Sequence, residues 1–146
     1  QNKKIDPEKL KIILDVRENN DFNLLKNAAL KGDKLKTNKL LCDTIIDAES
    51  NIFYLNSINQ RLNKLFEVKK KTDDLEKIID EIKPPIFWKD KPNFIAQAKK
   101  WNKDKIKLVL NKTYELEMQI KSNSIIDKNI LMKKLIIDLC NTANTL

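Results

Sequence analysis

The 146-residue chain contains no histidine and only two cysteines, Cys42 and Cys140. Without histidine, His-based catalysis and zinc sites that use imidazole ligands are excluded. The two thiols form no CxxC pair, so a thiolate zinc site is not indicated either. We therefore expect no bound metal, and we interpret both thiols as inert core cysteines of a protein in a reducing compartment.

Turn-forming residues are also scarce, with one glycine and four prolines. β-Sandwiches and barrels need many tight turns, which depend on these residues. A phosphate-binding loop of the GxxxxGK[ST] type needs two glycines. The sequence therefore predicts neither an all-β fold nor such a nucleotide loop, and we expect no cofactor.

Long apolar runs are absent, because every uncharged apolar stretch is far shorter than the about 18 residues that cross a membrane. No stretch has the features of a secretory signal peptide. Together with the two free thiols, this indicates a cytoplasmic protein without a membrane partner.

Hydrophobic residues make up 41% of the chain and aromatic residues only 6%, with abundant Leu, Ile and Lys. This composition is typical of amphipathic helices. The length suits one domain. We predict an all-α fold, an irregular helical bundle of about six to eight helices with no β-strand.

Capping residues predict where the helices begin and end. In the first half, we expect Asp6 to cap a short helix, a break at 19–21, a second helix over 22–31 and a left-handed turn at Gly32. Asp33 begins the next helix, and Ser50 caps a longer one that ends near residue 68. A short helix follows near 75–82.

Three prolines then interrupt the pattern in the segment 84–92, which we call the connector. Pro92 opens a helix that runs to Lys100, and Asn102 caps a helix that ends at Lys121. Asp127 caps the last helix.

The net charge of +8 admits nucleic acid as a partner, and a free-standing basic helical nucleic-acid-binding domain is the alternative function. Among 29 basic residues, however, only Arg17 and Arg61 are arginines. Proteins that read bases and phosphates favour the bidentate guanidinium. We therefore do not expect this chain to contact DNA directly.

Catalytic residues are not expected, and the chain is predicted not to be an enzyme. Its acidic pairs, such as Asp73-Asp74 and Asp80-Glu81, are adjacent in sequence. Neighbours on a helix point about 100° apart, so neither pair converges into a carboxylate dyad. A solvated helix face explains them better.

One carboxylate falls inside an apolar helix face. Glu117 lies between Ile106 and Leu110 on the helical wheel, so we expect it to be largely buried and paired. Arg61 is the preferred partner in a structural ion pair. Lys121, four residues on, is almost equally suited to form a surface pair instead.

Candidate interface residues lie on the same helix and in the connector. Leu108 is opposite the apolar face, and Tyr114 and Met118 lie four apart on its flank, so simple two-layer packing does not need them. Trp88 is the fourth candidate interface residue, because tryptophan is enriched at protein interfaces. The other interpretation, which we favour for the connector aromatics, is that they plug the end of the bundle.

The connector sequence resembles the corresponding segment of the delta subunit of bacterial DNA polymerase III. The string 85–94 (PIFWKDKPNF), followed by Gln97-Ala98 and Trp101, carries the resemblance. The strings 116–121 (LEMQIK), 28–33 (AALKGD) and 60–62 (QRL) extend it in the same order.

The resemblance implies a helical collar domain of the replicative clamp loader, which loads the sliding clamp onto primed DNA. Residues 1–20 would be the end of the lid module and residues 21–146 the collar, which mediates oligomerisation. The implied partners are the motor (gamma/tau) subunits and the delta-prime subunit. The sliding clamp would be bound only through an N-terminal module that this sequence does not include.

Overall fold

A computed structural model describes residues 6–44, 46–122 and 125–145. Within these ranges the chain has seven α-helices, one short 3₁₀ helix at Ala48–Ser50 and no strand, which confirms the predicted all-α fold. The α-helices are α1 (Pro7–Lys31), α2 (Lys34–Asp43), α3 (Asn51–Lys70), α4 (Leu75–Glu81), α5 (Lys91–Lys100), α6 (Lys103–Lys121) and α7 (Lys128–Asn144). None of these described helices is long and apolar enough to cross a membrane.

Most helices begin where short polar side chains predict. The side-chain oxygens of Asp6, Asp33, Asn102 and Asp127 each accept a hydrogen bond from a backbone N–H in the first turn of their helix. These bonds satisfy donors that a helix start leaves without partners. Ser50 precedes α3 but its side chain makes no capping hydrogen bond; its hydroxyl donates to Asp47 Oδ2 at 3.2 Å.

The predicted break at residues 19–21 is wrong, because α1 is one continuous helix of 25 residues. Asn and Asp cost a helix interior only about 0.7 kcal/mol each relative to Ala. That cost is small beside the burial of Phe22 and Leu25 in the second half of the helix, where both side chains are fully inside. The first turns of α1 differ, since all side chains of residues 7–13 are exposed.

The core is built around α3, which packs against α5 and α6, while α1 packs against α2, α5 and α7. Phe22 of α1 stacks on Tyr54 of α3 with ring centroids 4.2 Å apart. Burying each such large side chain contributes about 1.5–3 kcal/mol. The expectation of two core cysteines holds for Cys140 only, because Cys42 is exposed at the end of α2.

Gly32 links α1 to α2 in the predicted left-handed conformation, with φ of 74°. Its N–H donates to the Ala29 carbonyl at 2.9 Å, and the next N–H, of Asp33, donates to the Ala28 carbonyl at 3.1 Å. Asn144, at the end of α7, donates through Nδ2 to the Gly32 carbonyl at 2.8 Å. This turn therefore anchors the C-terminal helix to the first one.

We expect Gly32→Ala to lower the free energy of unfolding by about 2 kcal/mol, measured by urea denaturation. An added Cβ would be in the left-handed region and would lie 2.6 Å from Asn144 Oδ1. In an Asn144→Ala background the steric part of the cost should disappear and the backbone part should remain. Equal costs in both backgrounds would contradict the close approach of Asn144.

Candidate functional site

Arg61 is the centre of the polar contacts between α1, α3, α5 and the connector. Its side chain is only 8% exposed and forms an ion pair with Asp90 of the connector. Its Nη2 also donates to Asn27 Oδ1 of α1 at 3.4 Å. The guanidinium carbon lies 5.3 Å from the ring centroid of Phe94 in α5, a cation–π contact. One side chain thus holds four segments together.

Two further hydrogen bonds tie α5 and the turn after it to α1. Gln97 Nε2 donates to Asn27 Oδ1 at 3.0 Å, next to the Arg61 contact. The indole Nε1 of the buried Trp101 donates to the Leu30 carbonyl at 2.8 Å. Phe94 and Trp101 therefore plug the bundle, as one of the two interpretations of the aromatic residues proposes.

The predicted ion pair between Arg61 and Glu117 does not form, because Arg61 pairs with Asp90. The carboxylate of Glu117 instead pairs with Lys121 Nζ at 2.7 Å. Glu117 is also not largely buried, since its side chain is 29% exposed. The almost equally weighted alternative, a surface pair one helical turn apart, is the one that the structure contains.

The direction in which Arg61 points explains this result. The side of α3 that faces α6 is marked by Asn59, whose Oδ1 accepts a hydrogen bond from Thr113 Oγ1 at 2.6 Å. Residues two positions apart on a helix point about 200° apart. Arg61 therefore points away from α6, towards the connector.

Beside Arg61 lies an open cavity of about 300 Å³, which we call the connector cleft. It is lined by Lys26 of α1, by Ser57, Arg61 and Lys64 of α3, and by Ile86 and Phe87 of the connector. Lys26 is only 8% exposed, and its Nζ donates to Ser57 Oγ at 2.8 Å. A basic side chain this deeply buried is uncommon unless it is paired.

Burial is the main cause that lowers the pKa of Lys26, from 10.5 to about 8. The positive charge of Arg61 lowers this pKa as well, and that of Lys64 adds a smaller effect in the same direction. The negative charge of the Asp90 carboxylate has the opposite effect and raises the pKa of Lys26. At neutral pH the amine is therefore still mostly protonated.

Lys26, Ser57 and Lys64 were not predicted from the sequence as site residues. A signal was present for Lys26, which lies four residues after Phe22 and four before Leu30, on the stripe that α1 buries. A lysine on such a stripe marks a buried amine. Ser57 and Lys64 carry no comparable signal, because polar residues at the edge of a helix face are ordinary.

Three of the four candidate interface residues share one surface. Leu108, Tyr114 and Met118 are 51%, 64% and 57% exposed. They lie outside the buried stripe of α6, with Leu108 and Tyr114 about 120° apart on the helical wheel and Met118 between them, and we call them the α6 outer face. Their predicted exposure is confirmed, and it leaves apolar area free for another helix.

Trp88 does not belong to the α6 outer face. It lies in the connector, on the side of α3 that Arg61 faces, whereas α6 lies on the side of Asn59. The indole is 71% exposed, with its centroid 5.9 Å from that of Phe87 and with Lys89 Nζ 5.3 Å above it. The candidate interface residues therefore form two separate surfaces.

The adjacent carboxylates Asp80 and Glu81 point to different lysines, as expected for a solvated helix. Asp80 pairs with Lys91 at 2.6 Å and Glu81 with Lys71 at 3.2 Å. Over the described ranges, no cluster of three or more acidic or thiol side chains is placed to hold a metal ion.

Comparison of the chain with protein-family models, curated proteins and solved structures gives no match. The α6 outer face and the connector cleft are two surfaces of the described chain from which a function can be inferred. The first offers apolar contact area, and the second offers buried positive charge.

We expect Arg61→Met to lower the free energy of unfolding by about 2 kcal/mol, because it removes the ion-pair partner of the partly buried Asp90 and one of the two donors to Asn27 Oδ1. The matched control is Lys121→Met, which removes an ion pair at the surface. Its cost should be at most about 0.5 kcal/mol. Denaturant midpoints of both variants measure the difference, and similar losses would contradict a central role for Arg61.

We expect the stability of the fold to rise with pH between about 8 and 10.5 through Lys26. In this window the unfolded chain keeps a proton on that amine and the folded chain does not, so raising the pH favours folding. Lys26→Met should remove this contribution, and the variant's free energy of unfolding should change less with pH. Lys133→Met on the exposed side of α7 is the control. Parallel pH profiles for wild type and Lys26→Met would contradict the lowered pKa.

Proposed function

We propose that the chain is the collar-type assembly domain of a clamp-loader delta subunit that acts in the cytoplasm during DNA replication. The order of elements along residues 84–121 carries the proposal. A proline-rich connector leads into α5, with 10 residues, and then into α6, with 19 residues. A short helix followed by a long one that ends in the LEMQIK string is what the sequence resemblance implies for this segment.

The placement of the residues that carry the resemblance also supports it. Phe94, Gln97, Ala98 and Trp101 are all buried between α5 and α1. In α3, Arg61 and the adjacent Leu62 are buried too. Residues that fix the relative positions of helices are those that a family with one fold is expected to share.

The α6 outer face is the proposed contact with the neighbouring motor (gamma/tau) or delta-prime subunits. Leu108, Tyr114 and Met118 present apolar side chains between charged ones, as the edge of a helix–helix interface does. A stable complex buries on the order of 1,000 Å² or more. One helix face supplies only part of that area, so closure of a ring of several subunits would strengthen each contact.

The first turns of α1 support the proposed division of the chain. Leu10, Ile12 and Ile13 are exposed there, so the described bundle does not use them. We propose that residues 1–20 belong to a lid module and residues 21–146 to the collar. Because α1 is continuous, this boundary lies inside one helix.

The proposal gives the chain no catalytic role. In the clamp loader, the delta subunit would bind the sliding clamp through a module outside this sequence. The helices described here would hold the subunit in the assembly.

We expect the chain to co-elute in size-exclusion chromatography with the motor and delta-prime subunits, without ATP, and not with the sliding clamp. Leu108→Glu should weaken that association by about tenfold, because it places a charge in an apolar contact. Circular dichroism should show unchanged helix content, since Leu108 is exposed.

Leu35→Glu is the matched control, because Leu35 is an equally apolar residue that is 87% exposed on α2. It should leave the association intact. Equal losses from both variants would contradict the α6 outer face as the contact. Binding to the clamp, or to DNA with a steep salt dependence, in the absence of any binding to the loader subunits would contradict the assembly function itself.

A further inference from the structure

We propose that the connector cleft binds a phosphate group, either as free phosphate or as a phosphate monoester, between Lys26, Arg61 and Lys64. This inference is independent of the assembly function, because it rests on the charges and donors of the cleft alone. The connector cleft lies on the side of α3 away from the α6 outer face.

The charge balance of the cleft is the first reason. Three cationic side chains, Lys26, Arg61 and Lys64, face one carboxylate, that of Asp90. That carboxylate is bound by Arg61, and in the described part of the chain Lys26 has no ion pair. Buried charges are normally compensated. A doubly negative anion matches the excess of two positive charges.

The hydrogen-bond donors of the cleft are the second reason. Both described hydrogen bonds of the Arg61 guanidinium use Nη2, so its other nitrogens are available to a ligand. The hydroxyl of Ser57 and the amide of Gln60 line the same space. The ammonium of Lys26 spends one of its three protons on Ser57. Donors from two helices therefore surround one site. A phosphate carries several oxygens on one phosphorus atom, so it is bound best by donors that approach from several directions.

The size and the walls of the cleft are the third reason. Its volume of about 300 Å³ is several times that of a water molecule, about 30 Å³ in the liquid. The wall opposite the lysines is apolar, formed by Pro85, Ile86 and Phe87. The space accepts a phosphate at its basic side together with part of an organic group at its apolar side.

The titration of Lys26 gives this proposal a specific signature. Burial and the charge of Arg61 hold its pKa at about 8, Lys64 lowers it slightly, and the opposing effect of Asp90 is already included. A bound dianion beside the amine raises that pKa. At pH 8 the free amine is about half protonated, so binding should take up as much as about half a proton per anion, and affinity should fall as the pH rises above 8.

Isothermal titration calorimetry of the full chain at pH 8 tests the site, with sulfate, inorganic phosphate and phenyl phosphate as probes. Sulfate is doubly charged at every pH used, so any proton uptake on its binding comes from the protein. Titrations in two buffers of different ionisation enthalpy measure that uptake. Malonate, a dicarboxylate of the same charge, and a short single-stranded oligonucleotide are the comparison ligands.

We expect all three tetrahedral anions to bind, and sulfate to bind with proton uptake. Lys26→Met should weaken binding by at least about tenfold and abolish the uptake. Lys64→Met, at a partly exposed position, should weaken binding and keep the uptake. Lys133→Met on α7 should leave both unchanged. Tighter binding of phenyl phosphate than of phosphate would identify a monoester as the ligand, and the reverse would identify free phosphate.

Three results would overturn the proposal. The first is the absence of binding of any tetrahedral anion to folded wild-type chain. The second is malonate binding as tightly as sulfate, which would assign the cleft to carboxylates. The third is binding of the oligonucleotide alone, or binding that Lys26→Met and Lys64→Met leave unchanged.

Discussion

Arg61 is a buried cation, which imposes the condition that negative or polar groups surround its guanidinium. The condition is met by the carboxylate of Asp90, the amide oxygen of Asn27 and the ring face of Phe94. Bringing Asp90 to Arg61 fixes the end of the connector against α3. Because α5 begins at the next residue, its start is fixed as well, and the turn at Trp101 then delivers α6 to the opposite side of α3.

The same condition accounts for the two environments of the connector aromatics and for the charge of the cleft. With Asp90 turned inward, Phe94 lies beneath Arg61, whereas Phe87 and Trp88 remain outside. The one carboxylate that lines the cleft is used by Arg61. Within the described ranges, Lys26 is therefore left charged, buried and hydrogen-bonded only to the hydroxyl of Ser57. The proposed anion would supply the charge that the connector cannot.

The features predicted correctly from the sequence depend on neighbours a few residues away. The caps at Asp33 and Asn102 and the left-handed turn at Gly32 are local, and each lies where its residue type predicts. The helical wheel also gives the exposed side of α6, because amphipathic periodicity reports burial directly. The partner of Arg61 was not predictable in this way. Asp90 is distant in sequence, and its choice over Glu117 depends on which side of α3 meets which helix. The predicted break in α1 was wrong for a related reason, since the tertiary burial of Phe22 outweighs weak local preferences.

The two surfaces lie on opposite sides of α3, and this placement limits how they can influence each other. A ligand that binds only the folded chain stabilises it by an amount set by the ratio of its concentration to its Kd, whichever surface it occupies. To change the affinity of the α6 outer face, however, an anion in the cleft would have to alter the position of α6. The contacts that connect the cleft to α6 run through α3, from Arg61 to Asn59 and then to Thr113. A packed helix core resists such small displacements. The geometry therefore favours two independent surfaces, and an anion in the cleft would leave the α6 outer face as it is.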